Sequence, residues 1–450
     1  MKRYLTLFIV TFLAAAPAAM AAEKASLAQC IAWAVERSPT TQEGNADVAK
    51  AKGMLAEVRG HGLLQGELFG MVAPTATAKG SPLNANPGYS SGTLKGVTDW
   101  EIGTLQVIQP LYTFGKLDAY GRAATAGIEV AEARRESKRM STALLITEAY
   151  QGYLLAVTAV YITDDIDGIV TKAIRQTEAM LEDDSDEVEP TDLMKLKNAR
   201  GLVLKNKYEA EQGKIIAASA LRVLTGHDVV PEESQLGYME MPAHSLQEWV
   251  GIAKSDRPEY REAAQGLIAM QALVEAKQAE AYPDIFMIGL LSAAHSSGRD
   301  RIVDPFIRDD FNHFYGTIGI GMRWKFDLAL NDAKVAQAQA EKEAVVAKKR
   351  YADEMIPLQV EKDYREMMSL RMQTDALNDA ARAGRQWLIS AASTYDLGVG
   401  EAREIFEALA GYATAEGGRL KALHGHNMKA AELLQHVGRL RADMLANKGE

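Results

Sequence analysis

The chain is poor in cysteine, in positive charge, in long hydrophobic runs and, over its most regular stretches, in proline. A single cysteine, Cys30, among 450 residues excludes an intramolecular disulfide framework. Although Leu27-Ala28-Gln29-Cys30 superficially resembles a lipidation site, bulky Gln29 and charged Glu23 and Lys24 argue instead for a buried cysteine on an amphipathic helix. A formal charge of -10, and aromatics that do not alternate with basic residues, argue against a nucleic-acid surface. Beyond residue 22 no run approaches 18 continuous apolar residues, so no helical membrane span is expected there. The signatures of catalysis are missing as well. There is no HExxH, no phosphate-binding glycine loop, no suitable Cys/His pair and no Glu-x-x-His of a di-iron bundle. Gly88-Tyr89-Ser90-Ser91-Gly92 has the letters of a nucleophile elbow but sits in a Pro/Asn-rich loop. His424-Gly425-His426 is the only close histidine pair, with no third ligand at metal spacing. No enzyme, cofactor or metal is expected.

What is present begins with Lys2 and Arg3, an apolar run from Leu5 to Ala16, and small residues ending in Ala19-Met20-Ala21. This reads as a secretory signal peptide over residues 1–22, its h-region too short to anchor. Far longer is the proline-free stretch from Lys116 to Leu181. Its seam runs Ile146, Tyr150, Tyr153, Val157, Tyr161, then after one slip Ile166, Val170, Ala173, Thr177 and Met180. Apart from the slip these are steps of three and four, the mark of helices coiled around one another. A continuous helix here would span roughly 100 Å, which no compact domain requires.

Taken in order, helix runs from Ser26 to about Gly60 with a break at Pro39. Strands follow at 62–73 and 98–112, then the long helix to about 181, an acidic turn over 182–190 and a return helix from Thr191 to about Thr225. The plan then repeats. Setting Ser26-Leu27 over Ser245-Leu246 places Pro39 on Pro258, Glu43 on Glu262 and Gly70 on Gly289. A shift of 214 aligns Asp118 with Asp332, Ala119 with Ala333 and Tyr150 with Tyr364. The expected division is therefore 23–244 and 245–450, the second half carrying strands at 282–295 and 314–326 and a long helix to about 394. Pro357, inside that helix, predicts a kink or a break.

The fourth strand is the most informative. Phe314, Gly316, Ile318, Ile320, Met322, Trp324 and Phe326 share one face; Tyr315, Thr317, Gly319, Gly321, Arg323 and Lys325 share the other. Apolar residues to lipid, polar ones to a lumen and aromatics at the interface are the demands of a transmembrane barrel strand, although a soluble sandwich could show the same pattern. Tyr112 and Phe114 stand at the corresponding end of the second strand. Four strands cannot enclose water, and open edges are not tolerated in lipid, so several chains would contribute; three give twelve strands.

With these features the chain resembles the TolC-type outer-membrane efflux family, from about Ser26 to Arg441 and in both repeats. The carriers are Ser26-Leu27 through Ser38-Pro39, Ser245-Leu246 through Arg257-Pro258, and Ala276 to Gly289 with Ala281-Tyr282-Pro283-Asp284. They continue with Gln109-Pro110-Leu111-Tyr112-Thr113-Phe114-Gly115, Trp324-Lys325-Phe326-Asp327, and Tyr395-Asp396-Leu397-Gly398 with Glu404-Ile405-Phe406. The resemblance implies a mostly α chain with β-barrel strands that forms, as a homotrimer, a twelve-stranded barrel and a twelve-helix periplasmic tunnel. Its role would be the passive outer-membrane exit duct of a tripartite efflux pump or type I secretion system, with a periplasmic adaptor and an inner-membrane transporter as partners. A soluble periplasmic coiled-coil adaptor or binding protein is the competing reading.

Matched to the family's tips, Glu404 and Glu407 fall at the acidic ring of the periplasmic constriction; on the polar face of the fourth strand, Arg323 and Lys325 would face the barrel lumen. Asp183, Asp184, Asp186, Glu187, Glu189, Asp192, Leu193, Tyr395, Gly398 and Gly400 fall at the tips where an adaptor would dock. Two departures stand out. The first tip keeps Thr191-Asp192-Leu193 but is preceded by acids instead of glycine, and Gly400 stands where a gate-holding basic residue can occur. The acids would select cationic cargo, recognise a basic adaptor tip or simply keep a turn hydrated.

Overall fold

The computed structural model describes residues 23–80, 96–183 and 188–443. The signal-peptide expectation, Asp184, Asp186, Glu187 and the Gly88–Gly92 motif lie outside them. In order, the elements are β1 (Glu23–Ala25), α1 (Leu27–Arg37), α2 (Pro39–Gly60), β2 (Gln65–Ala76), β3 (Val97–Tyr112), α3 (Lys116–Glu182) and α4 (Pro190–Thr225). They continue with β4 (Val229–Pro231), α5 (Leu246–Asp256), α6 (Pro258–Ala279), β5 (Asp284–His295), β6 (His313–Arg323), α7 (Leu328–Asp396) and α8 (Ala402–His436). The chain is mostly helical and divides into two compact units, to each of which α3 and α7 contribute.

One unit holds residues 43–136 and 258–355. Its sheet runs β2-β3-β5-β6, antiparallel throughout. β2 starts later than the sequence suggested, because turns at Gly62 and Leu63 close back onto Arg59 and Gly60 before the chain extends. It also runs on through Pro74, which an edge strand accepts because its missing N–H need face no partner. In the inner strand β3, Pro110 sits where the register shifts between Pro110 and Tyr112, a bulge that absorbs the lost donor. β6 stops at Arg323, so Trp324 to Phe326 lie beyond it; Trp324 Nε1 donates to the Ala281 carbonyl at 3.0 Å and holds that segment.

The other unit holds residues 23–42, 137–257 and 356–443 of the described chain. β1 and β4 pair in parallel, and Tyr150, 1 % exposed, donates to the Ala25 carbonyl and to Glu233 beside them. Ser26 and Ser245 cap α1 and α5, each accepting from the backbone N–H three residues on at 3.3 Å; Glu248 completes a capping box on Ser245. α1 and α5 are both 11 residues long, and α2 and α6 both 22. Buried Asn427 donates to Gln151 and the Gly237 carbonyl and accepts from Met239 N–H, pinning the loop before α5 onto α8.

α3 explains the slip in its seam. Ile146, Tyr150, Leu154, Thr158, Ile166 and Val170 are buried and Ile162 packs beside them, so through this stretch the seam advances in steps of four. Tyr161, expected in the seam, is instead exposed, because it follows Tyr153 and Val157 along the neighbouring row. α3 also contains a stretch long and apolar enough to cross a membrane, which the sequence analysis did not anticipate. Half of that stretch is buried within the protein. α7 runs from Leu328 to Asp396 without a break, Pro357 included, so of the kink or break expected at that proline the break does not occur.

Candidate functional site

The register of the sheet sets which side chains share a face. Leu68 lies beside Leu105, Leu105 beside Leu291 and Leu291 beside Gly316; Val107, Gly289 and Ile318 form the next row, and Met287 and Ile320 lie beyond. This face is apolar and bare along the edge strands, from 64 % exposed at Met322 to 78 % at Leu68, and partly exposed on the inner strands, as at Leu105 (37 %) and Leu291 (41 %). From Phe314 to Met322 it runs for about 27 Å along the strand, which a tilt of about 40° brings near the height of a membrane-embedded band. The opposite face carries Gln65, Glu67, Thr104, Gln106, Ser292, Thr317 and Arg323 among Ile102, Ile108, Phe286, Ile288 and Leu290. It is therefore mixed, less polar than β6 alone suggested.

At the helix-proximal end of the bare face, aromatics cluster. Phe114 lies 4.7 Å from Tyr112 and stacks on Tyr282 at 5.5 Å, and Trp324 lies 4.6 Å from Phe326, all by ring centroids. Every one of these rings is exposed. Amphipathic rings in such a row suit a membrane–water boundary. Phe114 adopts φ +50° and Gly115 φ +79°, the left-handed pair that turns β3 into α3.

Beneath the sheet, charges converge where strands meet helices. Lys116 pairs with Asp284 at 2.5 Å. Glu280 accepts from Tyr120 at 2.7 Å, Lys277 at 2.8 Å and Lys334 at 3.1 Å. Burial alone would raise its carboxyl, yet these donors outweigh it and bring Glu280 down to about 2. Arg323 and Lys325 are both exposed, Arg323 as the last residue of β6 and Lys325 past its end.

Where α3 and α4 meet α7 and α8, one apolar cluster contains Val170, Ile174, Leu196, Leu388, Tyr395, Ile405 and Tyr412. Tyr395 is 2 % exposed and its hydroxyl lies 2.5 Å from Thr177 Oγ1; it is a core residue, not a free docking group. Leu193 also packs on this cluster. Asp192 Oδ2 accepts from Glu189 N–H at 3.2 Å at the start of α4, while Asp183 is exposed just beyond α3.

Gly398 ends α7 at φ +77°, with its N–H on the Tyr395 carbonyl and Val399 N–H on Thr394, a Schellman stop. Gly400 has its own physical reason: a Cβ there would come within 2.8 Å of Tyr395 N, so no basic side chain fits this turn. Leu397 and Val399, not among the residues expected at the tip, are turned outward there at 77 % and 78 % exposure. Two adjacent-but-one aliphatics flanking a helix-ending glycine were the available signal. Glu404 lies in the first turn of α8, accepting from Trp387 Nε1 at 3.4 Å, and Glu407 pairs with Arg403 at 2.8 Å. Among the described residues no cluster of metal-binding side chains occurs.

An open antiparallel sheet with an apolar outer face, borne on the same chain as two helices of 67 and 69 residues, defines the fold of the TolC-type outer-membrane channels. No family model and no curated protein matches the sequence. Solved structures do. The outer-membrane protein VceC of Vibrio cholerae is 16 % identical, the match covering 92 % of this chain and 96 % of that one with a TM-score of 0.73. The outer-membrane channel CmeC of Campylobacter jejuni is 15 % identical over 92 % and 85 %, at 0.72. The open state of the MtrE outer-membrane channel of Neisseria gonorrhoeae is 18 % identical over 93 % and 90 %, at 0.70. At such identities it is the fold that is shared.

Proposed function

We propose that this protein is the outer-membrane exit duct of a tripartite efflux pump or type I secretion system, a passive channel without enzymatic activity. The observation that carries the reading is the sheet: its outer face is apolar and bare, and among the described residues β2 and β6 each pair on one side only. In lipid the unpaired N–H and C=O groups of those edges must find partners, and a second and third copy of the same sheet supply them. Three copies close a twelve-stranded barrel with the mixed face around water. A soluble sandwich would bury the face that is bare here, which disfavours the adaptor alternative.

Three copies of α3, α4, α7 and α8 make a periplasmic tunnel. Glu404 and Glu407, one helical turn apart, face its constriction. The tips bearing Asp183, Glu189, Asp192, Gly398 and Gly400 meet a periplasmic adaptor that joins the duct to an inner-membrane transporter, and Leu397 and Val399 offer that adaptor an apolar hold.

The test is to place one cysteine on the β2 edge and one on the β6 edge of the same chain, for example at Leu68 and Ile318, and oxidise membranes. Covalent trimers that conduct in planar bilayers are expected. A protein that stays monomeric and electrically silent overturns the reading.

A further inference from the structure

Four cationic side chains, Lys116, Arg323, Lys325 and Lys334, line the cavity where β6 ends, together with the carboxylates Glu280, Asp284 and Asp327. Two are committed, Lys116 to Asp284 and Lys334 to Glu280. Arg323 lies opposite Asp284 in the strand register, yet that carboxylate is held at 2.5 and 2.6 Å by Lys116. Among the described residues Arg323 and Lys325 have no carboxylate partner, and the Arg323 guanidinium lies 5.4 Å from the centre of the Phe286 ring. That ring is seated deliberately. It lies over Gly321, where a Cβ would come within 2.7 Å of the ring, so only glycine leaves the ring flat against the sheet.

Phe286 and Arg323 also form one wall of a second, adjoining cavity of about 540 Å³, which shares Lys116 and Asp284 with the first and whose other walls include Ile108, Leu117 and Tyr120. The volume suits a small organic molecule. Sheet alternation puts Phe286 and Arg323 together on the face opposite Ile320 and Met322. The other acid at the rim, Glu57, lies 3.9 Å from His61. A planar guanidinium with no protein carboxylate calls for a planar or tetrahedral oxyanion. The aromatic wall and aliphatic lining call for an apolar body attached to it.

We infer that this cavity is a binding site for aromatic organic anions, carboxylates or sulfonates, with Arg323 as counter-ion and the Phe286 ring as stacking surface. In the duct proposed above, on which this inference rests for its meaning, such a site is a resting place for cargo at the foot of the barrel.

Binding is measured by titration calorimetry of the detergent-solubilised full chain with 1-naphthalenesulfonate, and block by the same anion in planar bilayers. Saturable binding is expected. Arg323→Gln weakens it roughly tenfold, the cost of one charge-assisted contact. Arg323→Lys falls between, and Gly321→Ala weakens it by displacing the ring. Methanesulfonate, which lacks a ring, binds far more weakly. Unchanged melting temperatures of the variants guard against misfolding. No saturable binding, or equal affinity in wild type and Arg323→Gln, overturns the site even where the protein conducts. Arg323-dependent binding in a protein that leaves bilayers silent instead removes the duct and keeps the site.

Discussion

Removing one hydroxyl at the helix ends gives a sharp measure of how α3 and α7 are held together. Tyr395 is 2 % exposed and Thr177 fully buried; the Thr177 hydroxyl donates to the Ala173 carbonyl at 2.8 Å, so the Tyr395 hydroxyl is the donor between them. Burial pushes the Tyr395 phenol above its ordinary range, keeping it protonated. Tyr395→Phe deletes that bond while leaving Thr177 satisfied, so its cost is the net worth of one neutral hydrogen bond, about 1 kcal/mol. Tyr395→Ala adds a cavity and costs about 3–5 kcal/mol.

The neighbouring ion pairs, Lys172 with Asp396 at 2.8 Å and Arg385 with Asp165 at 3.0 Å, are largely exposed and contribute little. About 1 kcal/mol is roughly fivefold in an open-to-closed ratio for one chain and, in the trimer proposed above, on the order of a hundredfold when three chains open together. The expected outcome is faster hydrogen exchange in peptides covering 166–182 and 388–396, and raised open probability in bilayers. A double-mutant cycle with Thr177→Val should return a coupling of about 1 kcal/mol. Coupling near zero, with both single variants shifted, would refute the bond as the tie between these helices.

Three further outcomes follow from the same geometry. Glu280 is held at about 2 against an ordinary value of 4.5; a depressed carboxyl contributes stability that is complete above about pH 4.5 and lost as pH falls through about 2. Denaturant unfolding should therefore show Glu280→Gln less stable than wild type by about 3 kcal/mol at pH 7, a gap that closes toward pH 2. Cys30 is wholly buried, its thiol pushed up to about 12 by burial and the nearby Glu233 charge, so a maleimide at pH 7 should label it only after denaturation. Ile318→Arg, at the middle of the bare apolar face, should cost about 2–4 kcal/mol of membrane insertion and deplete the protein from outer-membrane fractions, whereas Thr317→Arg on the other face should not.

Local chemistry was legible where it is local. The proline pairs Pro39 and Pro258 start α2 and α6, Ser26 and Ser245 cap α1 and α5, and the absence of proline from Lys116 to Leu181 allowed one unbroken helix. Period-two alternation in β6 announced its two faces, and the aromatics at its end were visible as such. Pro357 does not break α7, because proline removes one hydrogen bond and crowds one carbonyl, a local cost of about 3 kcal/mol that the packing of a 69-residue helix can absorb. Tyr161 misled, since steps of three and steps of four both pass through Tyr150 and only the neighbours choose between them.

What the sequence determined by itself is the ladder of elements: periodicity, caps and breakers act within a few residues and need no partner to be read. What only the tertiary structure decided are the meetings across the chain. They include Lys116 taking Asp284 from Arg323, Tyr395 turned inward to Thr177, and the Tyr395 backbone that forces glycine at 400. Each depends on the distance between residues far apart in sequence, which register and packing set and no local pattern encodes.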